Sequence, residues 1–81
     1  MNPRQRKEVD ESTYSGRFAI RLKALRMKAK LTLEEASEQI GISVTAIYNW
    51  EAGRKRPDIE KFPKISEVYK VKKTKDLLPN E

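Results

Sequence analysis

A single glycine between two short apolar patterns constrains this sequence more than any other feature. Before it, Leu33, Ala36 and Ile40 recur at steps of three and four residues, the spacing of one helix face. Gly41 follows at once, and glycine is the residue that best adopts the left-handed backbone that ends a helix. Ser43, a preferred N-cap, opens a new helix two residues later. We therefore expect two helices joined by so short a turn that they meet at a steep angle.

Capping signals set the outer ends of this helix pair. Thr32 can accept a hydrogen bond from the third helical amide while Glu35 reaches back to the amide of Thr32, which is a capping box. The second helix is expected to end at Gly53, and its spacing predicts an inward face made of Val44, Ile47 and Trp50. Two helices joined in this way form a helix-turn-helix.

An upstream helix is predicted from apolar residues at steps of four, three and four, namely Phe18, Leu22, Leu25 and Ala29. Ser15 is the expected N-cap, and the helix should stop near Lys30. Ile20, Ala24 and Met27 form a second apolar line about half a turn away. We expect the N-terminal segment, through Val9 or Tyr14, or a second protein chain to cover this line. The alternative is a few exposed apolar side chains, which are common.

Two more helices are expected downstream. Pro63 is tolerated only near the start of a helix, so the fourth helix should begin between Ile59 and Phe62. Thr74 can cap a last turn, which Pro79 ends. We therefore predict an all-α fold, a compact bundle of five helices over residues 15–79. Residues 1–14 are expected to be a disordered N-terminal arm, because residues 1–12 are polar and Val9 is the single apolar residue within that stretch.

The charge distribution favours a polyanionic partner. The 81 residues hold 18 Lys and Arg against 12 Asp and Glu, a net charge of +6. Between residues 15 and 57 there are nine bases and four acids, so most of the excess lies in the central segment. Nucleic acid is the first candidate. Basic proteins that bind membrane surfaces or ribosomes share such a balance, so charge by itself is weak evidence.

Composition also narrows the chemistry. The chain has no cysteine and no histidine, which removes disulfides, the common metal ligands, a Cys nucleophile and the usual general base. No nucleophile, base and orienting group stand at workable spacing, so we expect no enzymatic activity and no cofactor or metal. No apolar run approaches the roughly 20 residues of a membrane span, and no membrane partner is expected.

The stretch from Leu31 to Pro57, LTLEEASEQIGISVTAIYNWEAGRKRP, closely resembles the helix-turn-helix of the lambda repressor and Cro-like (XRE-type) family. The most specific parts are the start at residues 31–35, the turn at residues 40–43, and Trp50-Glu51-Ala52-Gly53 before a basic loop. Phe18 to Leu78 follows the family's five-helix outline. Lys30 stands where the family often has glycine, which predicts a different turn or strain at a residue that has a side chain.

The resemblance implies roles for individual residues. In the family, the exposed part of the second helix faces the major groove, which makes these residues the candidates for base contacts: Val44, Thr45, Tyr48 and Asn49. Contacts to DNA phosphates are implied for the N-cap and the basic loop: Ser43, Arg54, Lys55 and Arg56. An ion pair is implied between Arg26 and Glu51. A solvated helix face and a solubilising charge run are the simpler readings of the first two groups.

We therefore expect a sequence-specific transcriptional regulator, and more specifically a repressor, that reads double-stranded DNA with residues 43–52. A homodimer on two half-sites is expected, because one small reader buries too little surface for high specificity. The expected location is the cytoplasm, and the nucleoid when the protein is bound to DNA. The alternative is an antitoxin or coactivator-type module of the same fold, whose main partner is another protein.

Overall fold

The computed structural model describes residues 11–79, which form four α-helices and two 3-10 helices. The α-helices are α1 (Tyr14–Lys28), α2 (Leu33–Ile40), α3 (Val44–Glu51) and α4 (Phe62–Val68). The 3-10 helices are Ile59–Lys61 and Thr74–Leu77. The all-α prediction is confirmed, but the count of five helices is wrong, because the last element is a 3-10 helix. Only a few residues separate Thr74 from Pro79, too few for a regular run of i to i+4 hydrogen bonds.

Helix α1 begins earlier than expected. Thr13, not Ser15, is its N-cap, since the Thr13 hydroxyl accepts a hydrogen bond of 2.9 Å from the amide of Gly16. The earlier start also lets the Arg17 amide donate to the Thr13 carbonyl at 3.0 Å and brings the Tyr14 ring to 6.5 Å from the Phe18 ring. Of the predicted arm, residues 1–10 lie outside the described residues.

The end of α1 is closed by a lysine in a left-handed conformation. The helix stops at Lys28, and Lys30 has a φ of 62°. The Lys30 amide donates to the Met27 carbonyl at 2.9 Å, and the Leu31 amide donates to the Arg26 carbonyl at 3.2 Å. These two bonds form the closure in which glycine is usual. The strain expected at Lys30 is therefore present, because a Cβ atom disfavours this backbone region.

The core lies between all four α-helices and the last 3-10 helix. Its side chains come from the four α-helices, from Tyr69 directly after α4 and from the last 3-10 helix, so each of these helices is held by burial of one face: Phe18, Leu22, Leu25, Ala36, Ile40, Ile47, Trp50, Ile65, Val68, Tyr69 and Leu77. Leu22, Ile47, Ile65 and Leu77 are the largest fully buried side chains, and each such burial contributes about 1.5–3 kcal/mol. Trp50 is 6% exposed, which confirms its predicted place in the core.

The C-terminal part packs back onto α1. Pro63 stands in the first turn of α4, as predicted, where its missing amide hydrogen breaks no helical bond. The prediction that Thr74 caps the last helix is wrong: Lys73 holds the N-cap position, and no side chain donates or accepts a capping bond there. Instead, the Arg21 guanidinium donates to the Asp76 carbonyl through Nε at 3.1 Å and Nη2 at 3.0 Å.

The second apolar line of α1 remains exposed among the described residues. Ile20 is 40% exposed and Met27 is 59% exposed, and Tyr14, one of the predicted covers, is itself 37% exposed. Val9, the other predicted cover, lies outside the described residues. Within residues 11–79, no helix has the length and the apolar character required to cross a membrane.

Candidate nucleic-acid interface

The helix-turn-helix is built as its capping signals predict. The Thr32 hydroxyl accepts from the Glu35 amide at 3.0 Å, and the Glu35 carboxylate accepts from the Thr32 amide at 2.9 Å. At the turn, Gly41 has a φ of 89°. The Ser37 hydroxyl donates to the Ile42 carbonyl at 2.6 Å, and the Ile42 amide donates to the Ser37 carbonyl at 3.1 Å. These bonds fix the direction in which α3 leaves the turn.

Helix α3 turns one face inward and another outward. Ile47 is fully buried and Trp50 nearly so, which anchors the inner face. Thr45 and Tyr48 are exposed, and Asn49 is half-buried beside them. At about 100° per residue these three side chains share an arc of about 100° on the outer surface. Val44 is half-buried at the edge of this arc. The four residues predicted to contact bases therefore lie together.

The basic loop follows α3 through a second left-handed glycine. Gly53 has a φ of 77°, and the amides of Arg54 and Lys55 donate to the Asn49 carbonyl at 3.0 and 3.4 Å. This closure holds the start of the loop against the last turn of α3. The side chains of Arg54, Lys55 and Arg56 are all exposed, and Pro57 is buried. Three cations thus extend from a backbone that is fixed at both ends.

Sequence reasoning missed a contact between the two predicted groups. The guanidinium carbon of Arg54 lies 5.7 Å from the centroid of the Tyr48 ring, within the range of a cation–π interaction. Tyr48 is 50% exposed, so its ring forms one wall of the surface that α3 presents. The signal that could have revealed the contact is an aromatic residue one turn before a Gly-Arg helix end, because the left-handed glycine folds the following residue back toward the helix.

Ser43 has a structural role that the geometry defines fully. Its hydroxyl oxygen accepts a hydrogen bond of 3.0 Å from the Ala46 amide, which caps α3. The side chain is exposed, and the hydroxyl hydrogen can still donate to another group. Ser43 therefore stands at the N-terminal end of α3, next to the outer surface that carries Thr45.

An ion pair joins α1 to the end of α3. Arg26 donates to Glu51 through Nε at 2.7 Å and through Nη2 at 3.0 Å, a bidentate arrangement. Its Nη1 donates to the Leu31 carbonyl at 2.8 Å. The side chains are only 11% and 8% exposed, and the hydrogen bond to Glu51 raises the pKa of Arg26 above its usual value. The pair neutralises a carboxylate at a helix C-terminus, where a negative charge is unfavourable.

The outer surface of α3 and the basic loop carries positive charges and no unpaired acid. Glu51 is the sole acid of α3, and it is paired with Arg26 away from the outer arc. Among residues 11–79, no group of three or more His, Cys, Asp or Glu side chains could hold a metal ion. The surface therefore offers hydrogen-bonding side chains beside fixed cations, a combination that suits an anionic polymer with readable edges.

Comparison with known proteins gives this surface a context. A family model described as helix-turn-helix matches residues 22–75, which includes α2, α3 and the basic loop. The chain belongs to the XRE-type helix-turn-helix family. This family consists of DNA-binding transcription regulators and is not a class of enzymes.

This XRE-type chain is similar to two proteins whose names describe HTH-type regulation of transcription. One is the HTH-type transcriptional activator BcrR of Enterococcus faecalis, 39% identical over 54 residues, which are 67% of this chain and 26% of the relative. The other is the uncharacterized HTH-type transcriptional regulator YobD of Bacillus subtilis (strain 168), 37% identical over 54 residues, which are 67% of this chain and 48% of the relative. The match thus spans about a quarter and about half of their lengths.

Proposed function

We propose that this protein is a sequence-specific, double-stranded DNA-binding transcription regulator that inserts α3 into the major groove. The observation that carries the proposal is the outer arc of α3, where Thr45, Tyr48 and Asn49 stand together beside an exposed basic loop. Hydrogen-bonding side chains on a projecting helix suit base edges, and cations on an anchored loop suit phosphates. Neither feature is needed to complete the core.

The two groups have different tasks in this proposal. Asn49 can pair bidentately with adenine, Thr45 can donate or accept, and Val44 can contact a thymine methyl group. Arg54, Lys55, Arg56 and the Ser43 hydroxyl hold the phosphate backbone and carry no sequence information themselves. Tyr48 serves both groups, because its ring supports the Arg54 guanidinium at 5.7 Å.

We further propose that two copies bind as a symmetric dimer. A single domain of this size contacts few base pairs. Two copies on half-sites roughly 34 Å apart would each place α3 in a major groove on the same face of the duplex. Such an operator has two-fold symmetry.

Repression is the regulatory outcome that we propose, with the protein acting in the cytoplasm at the nucleoid. A small DNA-binding domain that occupies a promoter excludes other proteins from it by volume alone. The Enterococcus faecalis relative is named as an activator, and most of that protein lies outside the matched region, so its regulatory outcome does not carry over. A promoter fused to a reporter decides the sign: expression should fall when this protein is supplied.

Selection from a random pool of duplexes tests the binding proposal. At a stated salt concentration the purified chain should enrich a two-fold symmetric sequence, and sedimentation should give two copies per duplex. Enrichment of no sequence, together with stable capture of a protein partner, would favour the antitoxin or coactivator-type alternative. Enrichment of a single half-site bound by one copy would keep the DNA-reading proposal and refute the dimer.

A further inference from the structure

A second basic surface lies at the far end of α4 from the loop at residues 54–56. Residues 70–75, here called the lysine loop, include four exposed lysines: Lys70, Lys72, Lys73 and Lys75. In the sequence this excess is hidden, since residues 58–81 hold six bases and five acids. Asp58 and Glu60 precede α4 and Glu67 lies within it, so Asp76, directly after Lys75, is the described acid of this segment that adjoins the lysine loop.

These four charges have no acidic partner in the part of the chain that the structure describes. Neither the pair of Arg26 with Glu51 nor the pair of Lys64 with Glu67 includes one of these lysines. The favourable interaction between a cation and a helix C-terminus can explain Lys70, which directly follows α4, but it fades within about one turn. It does not account for the lysines at 72, 73 and 75.

The backbone under these lysines is anchored at both ends. The Val71 amide donates to the Ser66 carbonyl at 2.8 Å, which closes α4 with Lys70 at a φ of 61°. At the other end Leu77 is fully buried, and the Arg21 guanidinium holds the Asp76 carbonyl. The loop is therefore a short, fixed support for its charges, and binding an anion there requires little further ordering of the backbone.

We propose that the lysine loop is a second phosphate-binding surface, which contacts duplex DNA outside the base pairs that α3 reads. This inference rests on the proposed function, because it takes DNA as the partner. Lysine is a compact point charge that suits phosphates, whose recognition needs charge at a fixed position. The loop has no exposed large apolar side chain that a protein partner would bury, since Val71 packs against the core.

The proposal predicts a dependence on DNA length. A duplex that ends at the selected site offers phosphates to α3 and the loop at residues 54–56. A duplex extended on each side by about 20 base pairs, roughly two helical turns, also offers phosphates to the lysine loop. Each additional contact steepens the dependence of log K on log salt by about 0.9. The extended duplex should therefore give a steeper slope than the trimmed one.

The test compares two charge-matched double variants of the full chain on both duplexes. In Lys72→Ala/Lys73→Ala the slope on the extended duplex should become shallower by up to about 1.8, with no change on the trimmed duplex. The control, Lys23→Ala/Lys28→Ala, removes the same charge from exposed positions on α1 and should leave the length-dependent part of the slope unchanged. Circular dichroism during thermal unfolding checks that both variants fold.

Four results are decisive. Equal slopes for the wild-type chain on the two duplexes would overturn the inference, and so would equal effects of the two double variants. Tight binding of the wild-type chain with a slope that Lys72→Ala/Lys73→Ala does not change would overturn it while leaving the proposed function intact. Failure of the wild-type chain to bind any duplex would instead refute the proposed function.

Discussion

Replacing Arg26 by alanine should remove a large share of the stability of the fold. The change leaves the Glu51 carboxylate, whose side chain is 8% exposed, without the bidentate partner that holds it at 2.7 and 3.0 Å. It also leaves the Leu31 carbonyl without its 2.8 Å donor. Breaking a buried pair by removing one member costs about 3–5 kcal/mol, because the remaining charge is buried without compensation.

That cost is large for a domain of this size. At about 0.05–0.15 kcal/mol per residue, a chain of 81 residues is stable by roughly 4–12 kcal/mol. A loss of about 3 kcal/mol should lower the melting temperature by about 12 °C or more. Urea unfolding followed by circular dichroism gives the free energy of unfolding directly, and the slope m shows whether the unfolded state has changed.

The exposed pair of Lys64 and Glu67 supplies a matched control. Its atoms are 3.9 Å apart and its side chains are 51% and 75% exposed, so Lys64→Ala should cost less than about 1 kcal/mol. The double variant Arg26→Met/Glu51→Leu removes both charges and should recover most of the loss. A free energy of unfolding for Arg26→Ala within about 1 kcal/mol of the wild-type value would refute the reasoning.

Four other predictions concern three single residues and one pair. Burial raises the pKa of Tyr69, whose hydroxyl has no hydrogen-bond partner among the described residues. The free energy of unfolding should therefore fall as the pH rises above about 10, because the unfolded tyrosine ionises there while the folded one stays protonated. Tyr69→Phe should weaken this fall in alkaline unfolding experiments and should not destabilise the fold at pH 7. Lys30→Gly should raise the free energy of unfolding by up to about 1 kcal/mol, because glycine adopts the φ of 62° at this position without strain. Gly41→Ala should lower the free energy of unfolding by about 1–2 kcal/mol through backbone strain alone, since a Cβ atom there meets nothing within 4 Å. A double-mutant cycle on DNA binding should give a coupling of about 0.5–1 kcal/mol between Tyr48 and Arg54, and strict additivity would contradict the cation–π contact.

Much of the fold could be predicted because interactions between residues close in sequence determine where its helices begin and end. The capping box at Thr32 and Glu35, the left-handed Gly41 and the Ser43 cap each depend on neighbours within a few residues, and all are present. The predicted start of α1 is wrong because Thr13 and Ser15 are both preferred N-cap residues, and serine is the better of the two in isolation. The earlier start brings the Tyr14 ring to 6.5 Å from the ring of Phe18, which lies one turn along the same helix.

Other features depend on distances that spacing does not encode. The predicted base-contact residues lie together because helical periodicity fixes a face. The approach of Arg54 to the Tyr48 ring depends on how the chain turns at Gly53 and on side-chain rotamers. The net charge of residues 58–81 does not predict the lysine loop, because Asp58 and Glu60, which offset lysines in that sum, precede α4.

The assignment of sequence reading to α3 is tested most directly by repeating the duplex selection with Asn49→Ala and with Arg56→Ala. The first variant should lose preference at one or two base pairs and bind the selected site about 1–3 kcal/mol more weakly, with random DNA scarcely affected. The second should weaken all sequences alike and reduce the salt slope by about 0.9. An unchanged selected sequence for Asn49→Ala together with an altered one for Arg56→Ala would contradict the account, because specificity would then belong to the basic loop and not to α3.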